Sequence, residues 1–316
     1  MELDKFSDYS QRMGRDVMID RVRSFNRVVT QRVGALNDAF LARRRPLGQS
    51  RVLWEIGPDG CDVRRLRARL ELDSGYLSRM LRSLEDGGLA VVQRNADDGR
   101  VRTARLTSAG QAERCELDRR SDEAAASILR PLSGKQRSRL VAAMAEVEQL
   151  LTASAVQIEP ADPGDQAARS CMAAYFAELA ARFDDGFDPT LSISAEDTEL
   201  TPPAGLLLLA SLHDEPMGIG ALKLHGTEPA EIKRMWIAPA ARGLGLGRRL
   251  LAELELRAAE HGAGFVRLET NRSLGEAIGL YRTAGYREVP AFNDETYADH
   301  WFEKELARGA ANRGSS

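Results

Sequence analysis

The chain has 316 residues and a mass of 34.7 kDa, with 43% apolar and 29% charged residues; it is too long for one ordinary core and has the composition of a folded soluble protein of two domains. No run of 18 or more apolar residues exists to cross a membrane as a helix, and the greasiest run, Leu206 to Leu209, has the length of a buried strand. The net charge of −3 hides a division: residues 1–157 carry 28 Lys+Arg against 22 Asp+Glu, the remainder 16 against 25, so nucleic acid is an expected partner of the first half only.

The opening Met1-Glu2-Leu3-Asp4-Lys5 lacks a basic region followed by an apolar stretch, so no secretory signal is read there and the cytoplasm is the expected compartment. Cys61, Cys115 and Cys171 are widely spaced and odd in number. That argues against a disulfide framework and suits no metal, and all three are expected to be reduced packing residues.

The first half reads as helical. Val22, Phe25, Val29 and Val33 recur at helical spacing, and residues 111–130 and 135–151 continue the period, with Ser133 as an N-cap. Between these segments Gly87-Gly88 stops a helix, and Leu89 to Val92 and Val101 to Leu106 flank the polar tip Asn95 to Gly99, which reads as a hairpin.

Residues 62–86 carry the chemistry of this half. Asp62 can cap a helix bearing Val63, Leu66 and Leu70; Asp73 or Ser74 then opens a second helix with Leu77, Met80, Leu81 and Leu84 on one face. Gly75, Arg79 and Arg82 lie opposite that stripe with Ser78 beside them, the kind of face a major-groove reading helix needs, and Arg94, Arg100, Arg102 and Arg105 make the hairpin basic. The run Leu72-Asp73-Ser74-Gly75-Tyr76-Leu77-Ser78-Arg79, then Leu84 to Leu89, Asp98-Gly99-Arg100 and Leu106 to Gly110, resembles the winged helix-turn-helix of MarR-type regulators. The resemblance implies a homodimer through interleaved first and last helices, and contacts to double-stranded DNA from Ser74, Tyr76, Ser78, Arg79 and Arg82 and from Arg100 at the wing tip.

The character changes near residues 152–165, where Pro160, Asp162, Pro163, Gly164 and Asp165 cluster. The expected organisation is a DNA-binding and dimerisation domain over 1–152, a second domain over 153–308 and a flexible tail over 309–316. Strands are expected near 156–159, 205–212, 217–225, 231–237 and 265–270, helices near 166–182, 247–260 and 273–284, and final strands near Tyr286 and Trp301, which together make this half α/β or α+β.

Residues 231–249 hold the strongest signal. A strand ends at Ile237, a tight loop contains Arg242, Gly243, Gly245 and Gly247, and an apolar helix follows. Glycines let an anion approach the backbone, and a helix N-terminus offers unpaired amides, so a pyrophosphate fits. A dinucleotide fold is disfavoured because the third glycine and the following acidic residue are missing, and no Gly-Lys-Ser/Thr marks a triphosphatase. Arg242-x-x-Gly245-x-Gly247, then Leu268 to Asn271, then Ala277-Ile278-x-Leu280-Tyr281-x-x-x-Gly285-Tyr286, resembles the Gcn5-related N-acetyltransferases, the GNAT superfamily.

That resemblance implies a bent mixed sheet with acetyl-CoA held where two parallel strands part. Its arm would lie along Met235, Trp236 and Ile237, its pyrophosphate on Arg242, Gly243, Leu244, Gly245, Leu246, Gly247 and Arg248, with Asn271 and Tyr281 touching the cofactor. Acyl transfer to an amine needs a base and an acid. Tyr281 matches the family's general acid and Glu231 a carboxylate base, with Glu269 as the fallback, and the strand amide near Ile237 or Trp236 would stabilise the oxyanion. Tyr175, Phe183, Phe187, Arg234 and His300 are expected to line the acceptor site, together with Phe176, Asn293, Tyr297 and Trp301. The acceptor is then a small amine, or an amino acid whose carboxylate meets Arg182 or Arg234. The leading reading joins a DNA-binding regulator to an acetyltransferase. A second makes the later domain a non-catalytic acetyl-CoA or metabolite sensor, and a third makes the first half a dimerisation platform only; Glu231 with Tyr281 favours the enzyme, and the basic wing disfavours the platform.

Overall fold

The computed structural model describes residues 2–34, 41, 45–94, 101–193, 195–226 and 228–306. The chain divides into two compact units, Met1–Ala143 and Met144–Ser316. The wing tip with Arg100 and the tail 309–316 lie outside the described residues. Among the described residues no helix is long and apolar enough to cross a membrane.

The first unit runs α1 (Glu2–Arg32), α2 (Leu47–Ile56), β1 (Cys61–Asp62), α3 (Val63–Arg69), α4 (Ser74–Asp86), β2 (Ala90–Arg94), β3 (Arg102–Leu106) and α5 (Ser108–Leu129); α6 (Gly134–Ala155) follows and contains the division between the units. Local capping chemistry sets the two short helices. Asp62 accepts from the amides of Arg64 (2.7 Å) and Arg65 (3.0 Å), and Asp73, rather than Ser74, caps α4 by accepting from Tyr76 N at 2.8 Å. Val52, Leu53 and Ile56 of α2, Leu66 of α3 and Leu77, Met80, Leu81 and Leu84 of α4 close over Leu89, Ala90, Ala104 and Leu106, so the apolar stripe of α4 is spent on the core. The strands form a three-stranded sheet in the order β1-β3-β2; β1 adds to the expected hairpin by pairing Cys61 with Ala104. The helical period of α1 is present, but Val22, Phe25, Val29 and Val33 are exposed, and α6 buries none of its residues.

The second unit is built on a seven-stranded sheet. Its elements are β4 (Gln157–Ala161), α7 (Gln166–Arg182), β5 (Gly205–Leu212), β6 (Glu215–Lys223), β7 (Ala230–Ile237), α8 (Leu246–Glu260), β8 (Phe265–Thr270), α9 (Gly275–Thr283), β9 (Arg287–Val289) and β10 (His300–Glu305). The strand order is β4-β5-β6-β7-β8-β10-β9, antiparallel throughout except for the parallel pair β7 and β8. The sheet is therefore mixed. Leu250, Leu251, Leu254 and Ala258 of α8 and Ile278 and Tyr281 of α9 pack with Leu206, Leu208, Leu222, Val266, Leu268 and Phe302, while Ala168 and Cys171 of α7 pack with Leu207, Ile219 and Ala221. The sheet is covered on both faces, which explains why Leu206 to Leu209 reads as a continuous apolar run.

The connection from wing to α5 is tight. Thr107 caps α5 by accepting from Gly110 N at 3.1 Å and donates to Gly88 O at 2.7 Å. A β-carbon on Gly110 would sit 1.9 Å from Leu89 O. Gly110→Ala is therefore expected to force the start of α5 off the wing and to destabilise the first unit by about 1 to 3 kcal/mol, the usual cost of overpacking; chemical denaturation would read the loss as a lower midpoint for that unit's transition.

Candidate functional site

Sheet pairing creates the opening in the second unit. The parallel register of β7 and β8 consists of Ala230 with Val266 and Glu231 with Arg267. Beyond these pairs β7 continues against β6 alone and β8 against β10. Just past the point of parting β7 carries a bulge: Ile219 pairs with Trp236 and Ala221 with Lys233, so Arg234 and Met235 together face Gly220, and Arg234 takes a left-handed backbone conformation (φ 52°). Two adjoining cavities, of about 500 and 480 Å³, occupy the opening and share Tyr175, Leu179, Met235, Leu274, Ala277 and Tyr281 as walls.

The first cavity is lined by Trp236 and Ile237 and by the loop residues Arg242, Gly243, Gly245, Leu246, Gly247 and Arg248. Gly243 (φ 80°) and Gly245 (φ 72°) hold backbone conformations that a side chain would strain, and Gly245 is the residue before α8. The first intrahelical bond of α8 runs from Arg249 N to Gly245 O at 3.2 Å, so the amides of Leu246, Gly247 and Arg248 precede it without helical acceptors. Arg242 donates through Nε to Ile237 O at 3.0 Å and through Nη2 to Glu178, and Arg248 donates to Thr283 Oγ1 at 3.0 Å. Unpaired amides, two guanidinium groups and a helix N-terminus suit a diphosphate. The Leu244 side chain packs instead in an apolar cluster with Val156, Ala210 and Leu246.

Glu178 of α7 is a member of this cavity that sequence reasoning missed. It accepts from Arg242, from Trp236 Nε1 at 2.7 Å and from Arg182 at 3.2 Å. Burial works to raise its carboxyl pKa, but these three donors prevail and hold it below the usual range. Its spacing of four residues before Arg182 was the available signal.

The second cavity is walled by aromatic rings. Phe187 lies 5.6 Å from Phe176, 5.9 Å from Phe183 and 4.9 Å from Tyr297 between ring centroids, and Tyr175 lies 5.5 Å from Phe176. Lys233, Arg234, Glu269, Asn271 and Glu295 supply its polar groups. Asn271 belongs to this cavity rather than to the first; it donates to Tyr297 O and accepts from Ser273 N, both at 2.8 Å. Glu295, another residue the sequence reading missed, accepts from Ile193 N (2.7 Å), Ser192 Oγ (2.9 Å) and Tyr297 N (3.2 Å) and so ties two loops together. His300 does not line either cavity. Its Nδ1 is 2.6 Å from a Glu288 oxygen and its ring stacks 6.2 Å from Phe302.

Two of the walls common to both chambers carry an ionisable hydroxyl, Tyr175 on α7 and Tyr281 in the last turn of α9; the second matches the general acid expected from sequence. Burial raises its pKa, so the proton stays on the hydroxyl through neutral pH, and its ring is braced by Tyr286 at 5.9 Å and Phe302 at 5.8 Å. Of the two carboxylates considered from sequence, Glu269 lines the second cavity and Glu231 does not. Glu231 faces Lys233 Nζ at 3.4 Å and His225 Nε2 at 3.6 Å. Glu269 is buried, and burial raises its carboxyl pKa against the opposing charge of Lys233, which donates to it directly. Lys233 was the third residue missed: a lysine inside a strand whose neighbours are buried.

In the first unit, Ser74, Tyr76, Arg79 and Arg82 are exposed on α4 and Ser78 is half-buried, opposite the stripe spent on the core. The Arg79 guanidinium lies 5.8 Å from the Tyr76 ring. Among the described residues neither Arg79 nor Arg82 has an acidic partner, whereas Arg105 is committed to Asp59 O at 2.8 Å.

Comparison with known proteins assigns the two units separately. The acetyltransferase (GNAT) family matches residues 172–286 and the MarR family residues 45–101. An IAA acetyltransferase of Azospirillum brasilense is 36% identical over 95 residues, 29% of this chain and 61% of that protein. A protein of Mycobacterium leprae described as uncharacterized is 34% identical over 138 residues, 42% of this chain and 37% of its own. The chain thus spans 37% and 61% of the length of these curated relatives. The apo crystal structure of MarR from E. coli is similar at 22% identity, over 40% of this chain and 94% of that one, with a TM-score of 0.35.

The buried Lys233 and Glu269 pair is open to a direct test. Lys233→Met removes the charge that compensates Glu269 while keeping an unbranched side chain, and breaking a buried pair costs about 3 to 5 kcal/mol. Because burial raises the Glu269 pKa in the folded state, the folded protein then holds a proton that the unfolded chain releases. The loss is expected to be smallest below the unfolded carboxylate pKa and to deepen as pH rises towards the raised folded value; denaturation midpoints across acidic to neutral pH would show that trend.

Proposed function

We propose that this chain, which joins a MarR-family segment to a GNAT-family segment, is a DNA-binding transcription regulator that also acetylates a small amine with acetyl-CoA as cosubstrate. The observation carrying the enzymatic reading is Tyr281, a residue that lines both the diphosphate-suited chamber and the aromatic chamber. Two substrates entering from those chambers would meet at that residue.

When bound, acetyl-CoA supplies a thioester carbonyl for attack by an amine. Arg242, Arg248 and the amides around Gly245 to Gly247 would hold its diphosphate, and the strand from Met235 to Ile237 its arm. In the net reaction the amine nitrogen gains a bond to the acetyl carbon, the carbon–sulfur bond breaks, and one amine proton is replaced by one on sulfur. Glu269, through its place in the acceptor chamber, is the better-placed base to take the amine proton, and Tyr281 the acid to protonate the sulfur. Burial keeps the Tyr281 hydroxyl protonated at neutral pH, so a proton is present there to give.

For the regulatory part, the outward face of α4 is the proposed major-groove reader, with Ser74, Tyr76, Ser78, Arg79 and Arg82 as its contacts. The apolar residues left exposed on α1 and α6, including Phe25, Val29, Leu150 and Leu151, support a homodimer that covers them.

Tyr281→Phe keeps the ring packing and removes the proton donor. Its kcat is expected to fall on the order of 10²-fold while calorimetric affinity for acetyl-CoA changes little; unchanged turnover would make Tyr281 a packing residue. A wild-type protein that binds acetyl-CoA and acetylates no amine would instead be a sensor. On DNA, Arg82→Ala is expected to erode discrimination between a cognate and a scrambled duplex by about 1 to 3 kcal/mol, the value of one bidentate base contact. Competition binding at two salt concentrations separates this from a uniform loss of phosphate attraction.

A further inference from the structure

Among the described residues, the cations near the acceptor chamber differ in how they are paired. Lys233 is engaged by Glu231 and Glu269, and Arg182 is engaged by Glu178 (3.2 Å), Glu276 (2.7 Å) and the carbonyl of Ser273 (2.8 Å). Arg234 differs. Its guanidinium lies 5.2 Å from the Phe176 ring and donates to Met172 Sδ at 3.2 Å, and among the described residues no carboxylate stands within ion-pair distance of it. Burial draws its pKa below the usual guanidinium value, opposed by the more distant charges of Asp197, Glu196 and Glu199.

The backbone explains how this group reaches the chamber. Consecutive residues of a regular strand face opposite sides of the sheet, yet Lys233, Arg234 and Met235 all line the same cavity. The left-handed conformation at Arg234 breaks the alternation and brings its side chain to the same wall as its neighbours. A non-glycine residue in that conformation is uncommon, and such residues cluster where a site needs a side chain aimed against local preference.

Three features thus converge on one chamber: a guanidinium at Arg234 with no carboxylate at ion-pair distance among the described residues, a buried carboxylate at Glu269, and a wall of half-buried rings from Phe176, Phe183, Phe187 and Tyr297. We infer that the acceptor is a free α-amino acid with an aromatic or comparably large apolar side chain, its carboxylate paired with Arg234, its amine beside Glu269 and its side chain on the rings. A guanidinium presents two parallel N–H donors to a carboxylate, and that of Arg234 is placed over the Phe176 ring. The chamber volume of about 480 Å³ is that of a small-ligand site. The inference rests on the acetyltransferase reading: the amino acid's nitrogen bonds to the acetyl carbon as the thioester carbon–sulfur bond breaks, and one amine proton is balanced by one gained on sulfur.

The test compares phenylalanine, phenylalaninamide and phenethylamine as acceptors for the full-length protein with acetyl-CoA. Phenylalanine is expected to exceed both analogues, which lack the carboxylate, in kcat/KM by on the order of 10²-fold, and Arg234→Gln to collapse that ratio towards one, with Arg234→Lys in between. Equal turnover of acid and amide by the wild type would overturn the inference while leaving the acetyltransferase reading intact. Turnover of none of them leaves a binding readout, calorimetry with N-acetylphenylalanine against N-acetylphenylalaninamide. Binding of the acid alone, lost in Arg234→Gln, would support the carboxylate anchor even as the enzymatic reading failed, and equal or absent binding of both would overturn it.

Discussion

The bulge in β7 is the constraint on which the second unit depends. Opposite Gly220 the strand carries both Arg234 and Met235, and past Glu231 it no longer pairs with β8. A continuous parallel ladder would fill that space with backbone hydrogen bonds and leave no room for a ligand. With the ladder ended after two residue pairs, backbone groups of β7 become available to a partner other than a strand, and the ends of α7 and α9 supply walls for the gap. Edge-like backbone is normally a liability, tolerated where a ligand uses it. The bulge beside that opening brings three consecutive side chains, Lys233, Arg234 and Met235, to one chamber.

Charge in that region is arranged as a chain of compensations. Glu178 ties Arg242, Arg182 and Trp236 at one chamber, and Lys233 joins Glu231 to Glu269 at the other. Buried ion pairs contribute little net stability, because desolvation offsets much of their attraction. Their effect here is on position and protonation. Lys233 lowers the pKa of Glu269 against a burial effect that raises it, and Glu178 holds Arg242 beside the loop that a diphosphate would occupy. A ligand anion entering that loop would compete with Glu178 for Arg242, whose guanidinium already lies near its proposed use.

The first unit follows a simpler logic. Asp62 and Asp73 fix the starts of α3 and α4, Gly110 lets α5 begin against Leu89, and the apolar side of α4 is consumed by the core. What remains outward on α4 is determined by subtraction: Tyr76, Arg79 and Arg82 are exposed because Leu77, Met80, Leu81 and Leu84 are buried.

Much of this was written in local pattern. Capping aspartates, the alternation of α4, the glycine loop before α8 and the strand and helix order of the second unit depend on near neighbours in the chain, and those elements lie close to their expected positions; the helix 166–182 and the strand 265–270 coincide with them. Tyr281 was legible for the same reason, as part of a short motif on one helix. Tertiary structure decided what depends on distant residues meeting. It placed Glu269 rather than Glu231 on the aromatic chamber, turned His300 towards Glu288, and set Asn271 against Tyr297. It also committed Arg182 to Glu276, 94 residues away, and left Arg234 with no carboxylate at ion-pair distance among the described residues. A carboxylate's or guanidinium's role is set by its burial and by the charge opposite it, and both are supplied by elements remote in sequence, so spacing along the chain nominates such residues and only the fold assigns them.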